Sequence, residues 1–390
     1  MSEQSLGSLF RRFGERYRSA HRLPLAHLKV MRAIERCRTP ALGGHIEQCP
    51  TCGFKRVRYN SCRNRHCPTC QTGAREQWLY KRKQEVLPIA YYHIVFTVPC
   101  ELNDLILRNK RICYNLLFRA ASETLLDLCR DAKHMGGRPG VLAILHTWGQ
   151  TLMDHPHLHC LVTGGGISND GTRWVVPRKT NQKRSFFIHV NIISALFKGK
   201  FIAYLKDAYQ SKKLYLGGLI KSLQKEETFN VFQKMLYAKK WVTYCRAVYC
   251  KPEKVIDYLG RYTHRVAISN RRILEVDNEN VTFSYIDYQH QDKRKQMTLS
   301  IDEFIRRFLL HVLPHGYCRI RYYGLFSNRN RKKNLDRCLR LLKATKSEEK
   351  PFDLLDALYE LLGVDLARCP NCGVGEMHIV KKLEPVYRPP

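Results

Sequence analysis

Two Cys-x-x-Cys turns near the N-terminus are the strongest constraint on how this chain folds. They read CPTCG at 49–53 and CPTCQ at 67–71, with fourteen residues between the two cysteine pairs. Each turn supplies two thiolates at the separation that a tetrahedral zinc site requires. The stretch is hydrophilic and too short to bury a core, so a bound ion would supply its folding free energy, on the order of 10 kcal/mol. The spacing predicts a structural zinc ion held by Cys49, Cys52, Cys67 and Cys70.

Other metal-binding side chains lie close to these turns. They could form a second site or replace a member of the first: Cys37, His45, Cys62 and His66. Near the C-terminus, CPNCG at 369–373 adds Cys369 and Cys372, with no second pair beside them. Cys318, Cys338 or His378 could complete that site, or the pair binds no metal. The basic segment KRVRYNSCRNRH at 55–66 suits contact with phosphates or a solvated face of the zinc ribbon.

The charge balance indicates a polyanionic partner. The chain has 390 residues and carries 67 Lys and Arg against 34 Asp and Glu, a formal net charge of +33. A membrane partner would need an apolar anchor, and the uncharged stretch 86–100 contains Pro88 and Pro99 and is shorter than the roughly 20 residues that span a bilayer. The first residues lack the apolar region of a secretion signal. We therefore expect a nucleic-acid-binding protein of the cytoplasm, associated with the nucleoid, whose cysteines stay reduced.

Between the two cysteine groups, strand-like and helix-like patterns alternate. Runs rich in β-branched and aromatic residues predict buried strands at 92–98, 141–147 and 157–163. Apolar residues at helical spacing predict helices at 101–130, 191–210 and 301–313, and the segments 266–276 and 281–288 read as a hairpin. A basic stretch follows at 319–343. Together these patterns predict an α+β fold.

A histidine pair occupies the third predicted strand. Side chains alternate along a strand with a repeat of roughly 6.6–7 Å, so His157 and His159 share one face and their rings can converge on one cation. Leu158 and Cys160 then face the other side. By itself the pattern is more often that of a structural histidine pair in a core or on a surface.

Two tyrosines share one face of a predicted helix that begins at Pro252. Proline followed by an acidic residue makes a good first helical turn. Tyr258 and Tyr262, at positions i and i+4, would lie about 5–6 Å apart at Cβ, with both hydroxyls aimed the same way. Val255 and Leu259 fall within the same arc, so the tyrosines could equally be core aromatics.

In combination these motifs resemble a known family. HPHLHCLVTGGG at 155–166, YLGRYTHRVAISN at 258–270 and YNSCRNRHCPTCQ at 59–71 are similar to motifs of the two-tyrosine HUH transposases of the insertion-sequence-91 family. The resemblance covers roughly residues 25–340, with the motifs in the family's order. It implies a helical start and zinc-binding domain at 1–85, an HUH nuclease domain with a central antiparallel sheet at 86–300, and a basic C-terminal region at 301–390.

The resemblance also implies site residues. His157 and His159 match the pair that binds the catalytic Mg²⁺ or Mn²⁺, and we choose Gln150 as the third ligand over His155 and His264. The two nucleophiles of the family correspond to Tyr258 and Tyr262, and Arg261 supplies a DNA-binding cation between them. The family tends to have a Gly-Gly-Pro turn before the tyrosine helix, whereas this chain has VYCKP at 248–252.

The implied activity is cleavage and rejoining of single-stranded DNA at transposon ends through 5′-phosphotyrosine intermediates, in rolling-circle transposition. A plasmid replication initiator or relaxase would use the same histidine and tyrosine chemistry at an origin instead of an element terminus. A non-catalytic zinc-dependent nucleic-acid-binding protein would keep the charge and the cysteines, with structural histidines and tyrosines. The sequence assigns no oligomeric state.

Overall fold

The computed structural model of the chain describes residues 4–83, 85–178, 187–248, 255, 260, 266–287, 290, 293–345, 353, 359, 365 and 367–386. The described helices are α1 (Leu6–Ala20), α2 (Leu25–Arg36), α3 (Gln71–Lys83), α4 (Asn103–Arg108), α5 (Lys110–Arg130), α6 (Val190–Gln210), α7 (Glu226–Ala238), α8 (Ile301–Leu310) and α9 (Arg331–Leu341). The described strands are β1 (Gly44–Gln48), β2 (Lys55–Tyr59), β3 (Tyr91–Thr97), β4 (Gly137–Trp148), β5 (Asp154–Ser168), β6 (Trp174–Val175), β7 (Thr243–Val248), β8 (Ile273–Val276), β9 (Asn280–Asp287), β10 (Lys293–Ser300), β11 (Ile320–Gly324) and β12 (His378–Leu383). All strand pairings are antiparallel, and helices flank the sheets, so the predicted α+β fold is confirmed.

The largest sheet runs in the order β11-β4-β5-β3-β7, with β6 paired to β5. Its three central strands contain the apolar runs predicted at 92–98, 141–147 and 157–163, which are therefore confirmed as strands. One face packs against the helices between β3 and β7, because every second residue of each strand is apolar. This core includes Phe96 of β3, Leu158 and Cys160 of β5, and Phe118 and Phe197 of the helices.

The opposite face of this sheet is covered at one end by α3. Leu79 of that helix packs there against Leu142 and Leu161 of the sheet, together with the described residue Val255. Farther along the same face, toward the start of β5, the side chains are histidines. The sheet thus has one buried face and one face shared between a small apolar core and a polar end.

Helices α1 and α2 form a hairpin that packs against a separate three-stranded sheet, called here the third sheet. That sheet has the order β10-β9-β8, and its strands form a core with α1, α2 and α8 that includes Phe10, Met31, Phe283 and Phe304. Ser5 caps α1, since its hydroxyl accepts the Ser8 N–H while the Ser8 hydroxyl accepts the Ser5 N–H. This core joins segments from all three predicted domains, and the division at residues 85 and 300 stays a prediction.

The remaining sheet joins the two ends of the chain. Strand β1 lies between β2 and β12, with Gly44 opposite Tyr59 on one side and opposite Leu383 on the other. The sequence patterns predicted no strand at 378–383. A strand from the C-terminal region therefore completes the sheet of the N-terminal cysteine region.

Local boundaries differ from the predictions in three places. The helix predicted at 101–130 is split into α4 and α5 at Asn109, whose side chain donates to the Leu105 and Tyr215 carbonyl oxygens and accepts the Tyr215 N–H. The predicted hairpin forms, but β8 starts only at Ile273. The helix predicted at 301–313 ends at Leu310. The helix predicted at 191–210 is confirmed as α6.

Candidate metal and nucleic-acid site

Three histidines converge on the polar end of the central sheet. His157 and His159 lie on β5, and His146 lies on β4 directly opposite His157 in the strand register. Their ligand atoms all lie within 4.8 Å of one another, and the His157 and His159 Nε2 atoms are 3.1 Å apart. The prediction that residues 157 and 159 share a face holds because the strand alternation is regular there.

The surroundings keep His157 neutral and direct its Nε2 toward His159. Its Nδ1 lies 2.7 Å from the His155 carbonyl oxygen, which can only accept, so the proton sits on Nδ1 and the Nε2 lone pair faces the cluster. Burial, with smaller contributions from His155 and His93, lowers the pKa of His157 to about 4. A neutral imidazole is the form that binds a metal ion.

His93 of β3 supports the cluster from behind. Its Nε2 lies 2.9 Å from His159 Nδ1, and the two rings stack with centroids 5.1 Å apart. Burial lowers the pKa of His93 to about 4, so its ring is neutral and can accept the His159 Nδ1–H. The contact orients the His159 ring with Nε2 toward the other two histidines, as a second histidine partner does at many metal sites.

The third histidine of the cluster, His146, was not among the predicted ligands, and the choice of Gln150 as the third ligand stays a prediction. Gln150 lies in the turn beyond β4, where its Oε1 is 3.5 Å from the Ile286 backbone nitrogen and its carbonyl oxygen accepts from Arg272. The backbone carbonyl oxygen of His155 contacts the cluster only as the hydrogen-bond acceptor of His157 Nδ1. His146 could have been found by pairing β4 and β5 as a hairpin around residues 149–153, because that register sets it opposite His157.

The structure divides the predicted zinc ligands between two groups. Two clusters of four cysteines each bring their Sγ atoms within 4.8 Å of one another, and the turns at 49–52 and 67–70 belong to different clusters. We call them the helical cluster, formed by Cys37, Cys62, Cys67 and Cys70, and the ribbon cluster, formed by Cys49, Cys52, Cys369 and Cys372. The structure does not bring the two turns together around one point as predicted, because Cys37 and Cys62 lie beside the turn at 67–70 and Cys369 and Cys372 lie beside the turn at 49–52.

The helical cluster lies against the core of α1, α2 and the third sheet. Cys37 Sγ is 3.4 Å from Cys70 Sγ and 3.6 Å from Cys67 Sγ, and Cys62 Sγ is 3.5 Å from Cys70 Sγ. Cys37 and Cys67 are buried. Cys70 immediately precedes α3, so this cluster anchors the start of the helix that packs on the histidine face.

Of the C-terminal alternatives, Cys318 and Cys338 lie elsewhere. The Cys338 side chain is buried with Leu87, Ile167 and Leu325 in a separate small core. Cys318 donates to the Ile320 carbonyl oxygen. His66 is not among either cysteine cluster, and burial lowers its pKa to about 3.

Tyr258, Arg261, Tyr262 and the alternative ligand His264 lie outside the described residues. Of the segment 251–265, the structure describes Val255 and Gly260. Val255 is buried in the small core under α3, and a Cβ on Gly260 would lie 3.0 Å from Leu79 Cδ1. Val255 thus packs in the core on the sheet face that carries the histidines, and Gly260 lies against α3.

An exposed tyrosine and an exposed arginine lie beside the histidines on β7. Arg246 is opposite His93 in the strand register, and Tyr244 is opposite Val95, so both side chains share the histidine face. The Tyr244 ring centroid is 6.3 Å from that of His93. Neither residue stands out in the sequence, since nothing in the local pattern indicates which strand lies beside β3.

The basic stretch at 319–343 folds into β11 and α9. Its exposed cations line one open surface depression at the start of α9, which includes Arg329, Lys332, Lys333 and Arg340. Within the described ranges, no helix has the length and apolarity needed to cross a membrane.

The chain is similar to transposases along its whole length. The family described as "Transposase zinc-binding domain" matches residues 9–98, and the family described as "Putative transposase" matches residues 140–334. "Putative transposase y4qJ" of Sinorhizobium fredii is 45% identical over 394 residues, covering 100% of this chain and 98% of that protein. "Transposase for insertion sequence element IS801" of Pseudomonas savastanoi pv. phaseolicola is 28% identical over 344 residues, covering 86% and 79% of the two chains. No solved structure matches the chain.

Proposed function

Because the chain belongs to the insertion-sequence-91 family of transposases, with its N-terminal zinc-binding domain, we propose that it cleaves and rejoins single-stranded DNA through 5′-phosphotyrosine intermediates. The substrate would be the ends of its own element, processed by rolling-circle transposition. The observation that carries the proposal is the convergence of His146, His157 and His159 on one sheet face. We therefore expect the protein in the cytoplasm, associated with the DNA of the nucleoid.

The histidine cluster fits a divalent ion by the chemistry of its donors. Its rings are held by neighbours, His157 by the His155 carbonyl oxygen and His159 by His93, and the low pKa of His157 keeps that ring neutral at pH 7. His157 and His159 are only partly buried, so a phosphate group can reach them. Bound there, Mg²⁺ or Mn²⁺ would polarise the scissile phosphate and offset its charge. Of the two, Mn²⁺ suits imidazole ligands better.

The nucleophiles in this proposal are Tyr258 and Tyr262. A tyrosine hydroxyl oxygen forms a bond to phosphorus, the bond from phosphorus to the 3′ oxygen breaks, and the tyrosine proton leaves as the 3′ oxygen gains one. The 5′-phosphotyrosine conserves the bond energy, and attack by a 3′-hydroxyl later rejoins the strand and frees the tyrosine. Support comes from two described residues of the same segment: Val255 packs in the small core on the histidine-bearing face, and Gly260 lies against α3, which covers one end of that face.

Cations beside the histidines would hold the DNA backbone. Arg246 is exposed on the same face as His93, and the sequence prediction adds Arg261 between the two tyrosines. With a net charge of +33, affinity for single-stranded DNA should fall steeply with salt, by roughly −0.7 in log–log slope per phosphate contact.

The test is a covalent adduct between protein and DNA. The purified protein is incubated with single-stranded DNA carrying an element end and with Mn²⁺, then run on a denaturing gel, and mass spectrometry locates the modified residue. We expect the nucleotide on Tyr258 or Tyr262 and no adduct in the double variant Tyr258→Phe, Tyr262→Phe. Tyr244→Phe is the matched control, since this exposed tyrosine shares the histidine face and should be dispensable.

Three outcomes would contradict the proposal. An adduct on Tyr244 would move the nucleophile to β7. No adduct with any single-stranded substrate would favour a non-catalytic DNA-binding protein. Cleavage of plasmid origins but not of element ends would favour a replication initiator or relaxase.

A further inference from the structure

The ribbon cluster draws its four thiols from opposite ends of the chain. Cys49 Sγ lies 3.8 Å from Cys372 Sγ, and Cys52 Sγ lies 3.6 Å from Cys369 Sγ. We propose that these cysteines form a second structural zinc site, separate from the helical cluster, that joins the C-terminal segment to the N-terminal ribbon. Residues 369 and 372 lie beyond both matched families, which end at residues 98 and 334.

The sulfur spacing suits a tetrahedral ion. Four thiolates at about 2.3 Å from zinc stand roughly 3.8 Å apart, whereas a disulfide brings two sulfurs to about 2.05 Å. The separations of 3.6 and 3.8 Å agree with the first arrangement, and all four cysteines are free thiols. Without an ion, four sulfurs would be packed together with no bond between them.

The two turns are built alike, as paired metal-binding turns are. Each has the sequence Cys-Pro-x-Cys-Gly, and each glycine has a positive φ, 73° at Gly53 and 69° at Gly373. In each turn the glycine N–H donates to the carbonyl oxygen of the first cysteine at 2.9 Å. This repeated geometry turns the two cysteine side chains of each pair toward the same point.

Polar groups around the sulfurs are arranged for thiolates. The Gly375 N–H donates to Cys372 Sγ at 3.4 Å within the C-terminal turn, and Asn371 Nδ2 donates to Cys52 Sγ at 3.7 Å across the two turns. The backbone at Gly375 also passes so close to Cys49 that an added Cβ would lie 2.5 Å from its sulfur. The C-terminal turn is thus fitted to the N-terminal one.

The surrounding strands contribute too little apolar burial to hold this junction. All but the last residue of β12 are exposed, including Ile379 and Val380. A small sheet with so little buried surface is only marginally stable in water. Ion binding would supply the missing free energy and would make the C-terminal segment a necessary part of the zinc-binding domain.

The experiment counts thiolate-bound ions in the full-length protein. Cobalt replaces zinc, and the near-ultraviolet charge-transfer absorbance reports cobalt–sulfur bonds only, so an ion at the histidines does not contribute. Cys372→Ser and Cys62→Ser should each lower that absorbance to about half, since each disables one four-thiolate site, and the double variant should abolish it. Cys100→Ser, an exposed cysteine outside both clusters, is the control and should change nothing.

A second variant avoids removing a ligand. Gly375→Ala should weaken cobalt binding at the ribbon cluster alone and raise hydrogen exchange in β1 and β12, while α1 and α2 stay protected. The proposal fails if Cys372→Ser leaves the absorbance at the wild-type value, or if mass analysis finds a disulfide among these four cysteines. Native protein that contains four-thiolate iron instead of zinc, visible by its colour, would overturn the choice of ion.

Discussion

The histidine site and the ribbon cluster bring metal-binding side chains together by different means. The three histidines come from one hairpin of a sheet whose opposite face is buried, so strand register holds them whether or not an ion is present. The ribbon cysteines Cys52 and Cys369 are 317 positions apart and are joined by exposed strands. We therefore expect that an ion bound at the histidines could exchange without unfolding, whereas the proposed ion of the ribbon cluster would be part of the fold.

Removing zinc should have the largest effect and should separate these regions. A strong chelator should unfold the cysteine regions, because on the order of 10 kcal/mol of metal binding is folding free energy there. Hydrogen exchange measured by mass spectrometry should rise in β1, β2, β12 and α2 but stay low in β4 and β5. Equal loss of protection in the central sheet would show that the two regions fold as one unit.

His157→Ala should remove catalysis without removing the fold. Loss of one ligand withdraws stabilisation of the transition state, and we expect adduct formation to slow by at least about 1,000-fold, or roughly 4 kcal/mol. DNA affinity and thermal stability should stay near wild type, since the ring is only partly buried. His155→Ala is the control, because it keeps the backbone carbonyl that accepts from His157. Normal cleavage by His157→Ala would make the histidines structural.

His93 tests whether the sheet presets the ligand geometry. His93→Phe keeps a ring but removes the acceptor for His159, so Mn²⁺ affinity measured by calorimetry should fall about 10- to 100-fold. His93→Gln offers an amide oxygen in its place and should recover part of the affinity. Unchanged Mn²⁺ affinity in His93→Phe would mean that His159 needs no such support.

The smallest effect concerns the protonation of His311, which lies under the β4–β5 turn. Its Nε2 is 3.0 Å from the Leu152 carbonyl oxygen, and burial lowers its pKa to about 4. Below pH 6.5 the unfolded chain takes up a proton that the folded protein excludes, so stability falls as pH drops from about 6.5 toward 4. Between pH 7 and pH 6 the loss from this residue should be roughly 0.7 kcal/mol.

Chemical unfolding followed by tryptophan fluorescence measures that loss. His311→Gln removes the titrating group and should flatten this part of the pH dependence. The same slope in His311→Gln and in the wild type would assign the pH dependence to other groups.

Local sequence patterns predicted the three central strands of the largest sheet and two of the histidines at its site. The three strands and the shared face of His157 and His159 follow from side-chain alternation, which nearest neighbours in sequence impose. His146, His93 and Arg246 could not be found in this way, because each joins the site through the register of a neighbouring strand. Gln150 was chosen by its position in the sequence; it lies beyond the end of β4, and its role as a ligand stays a prediction.

For the cysteines, too, sequence spacing identified part of each cluster and the structure supplied the rest. Sequence spacing identified Cys49 with Cys52, and Cys67 with Cys70, as two-ligand turns, because a turn of four residues is a local structure. The partners of each turn come from segments that only the tertiary structure brings close. Cys37 follows α2 and Cys62 lies in the loop before α3, and both meet the turn at 67–70. Cys369 and Cys372 meet the turn at 49–52, where β12 pairs with β1. Residue chemistry and short-range periodicity thus determined which side chains could bind metal. Only long-range strand pairing and packing decided which of them meet, because the free energy of those contacts is gained between segments that are distant in sequence.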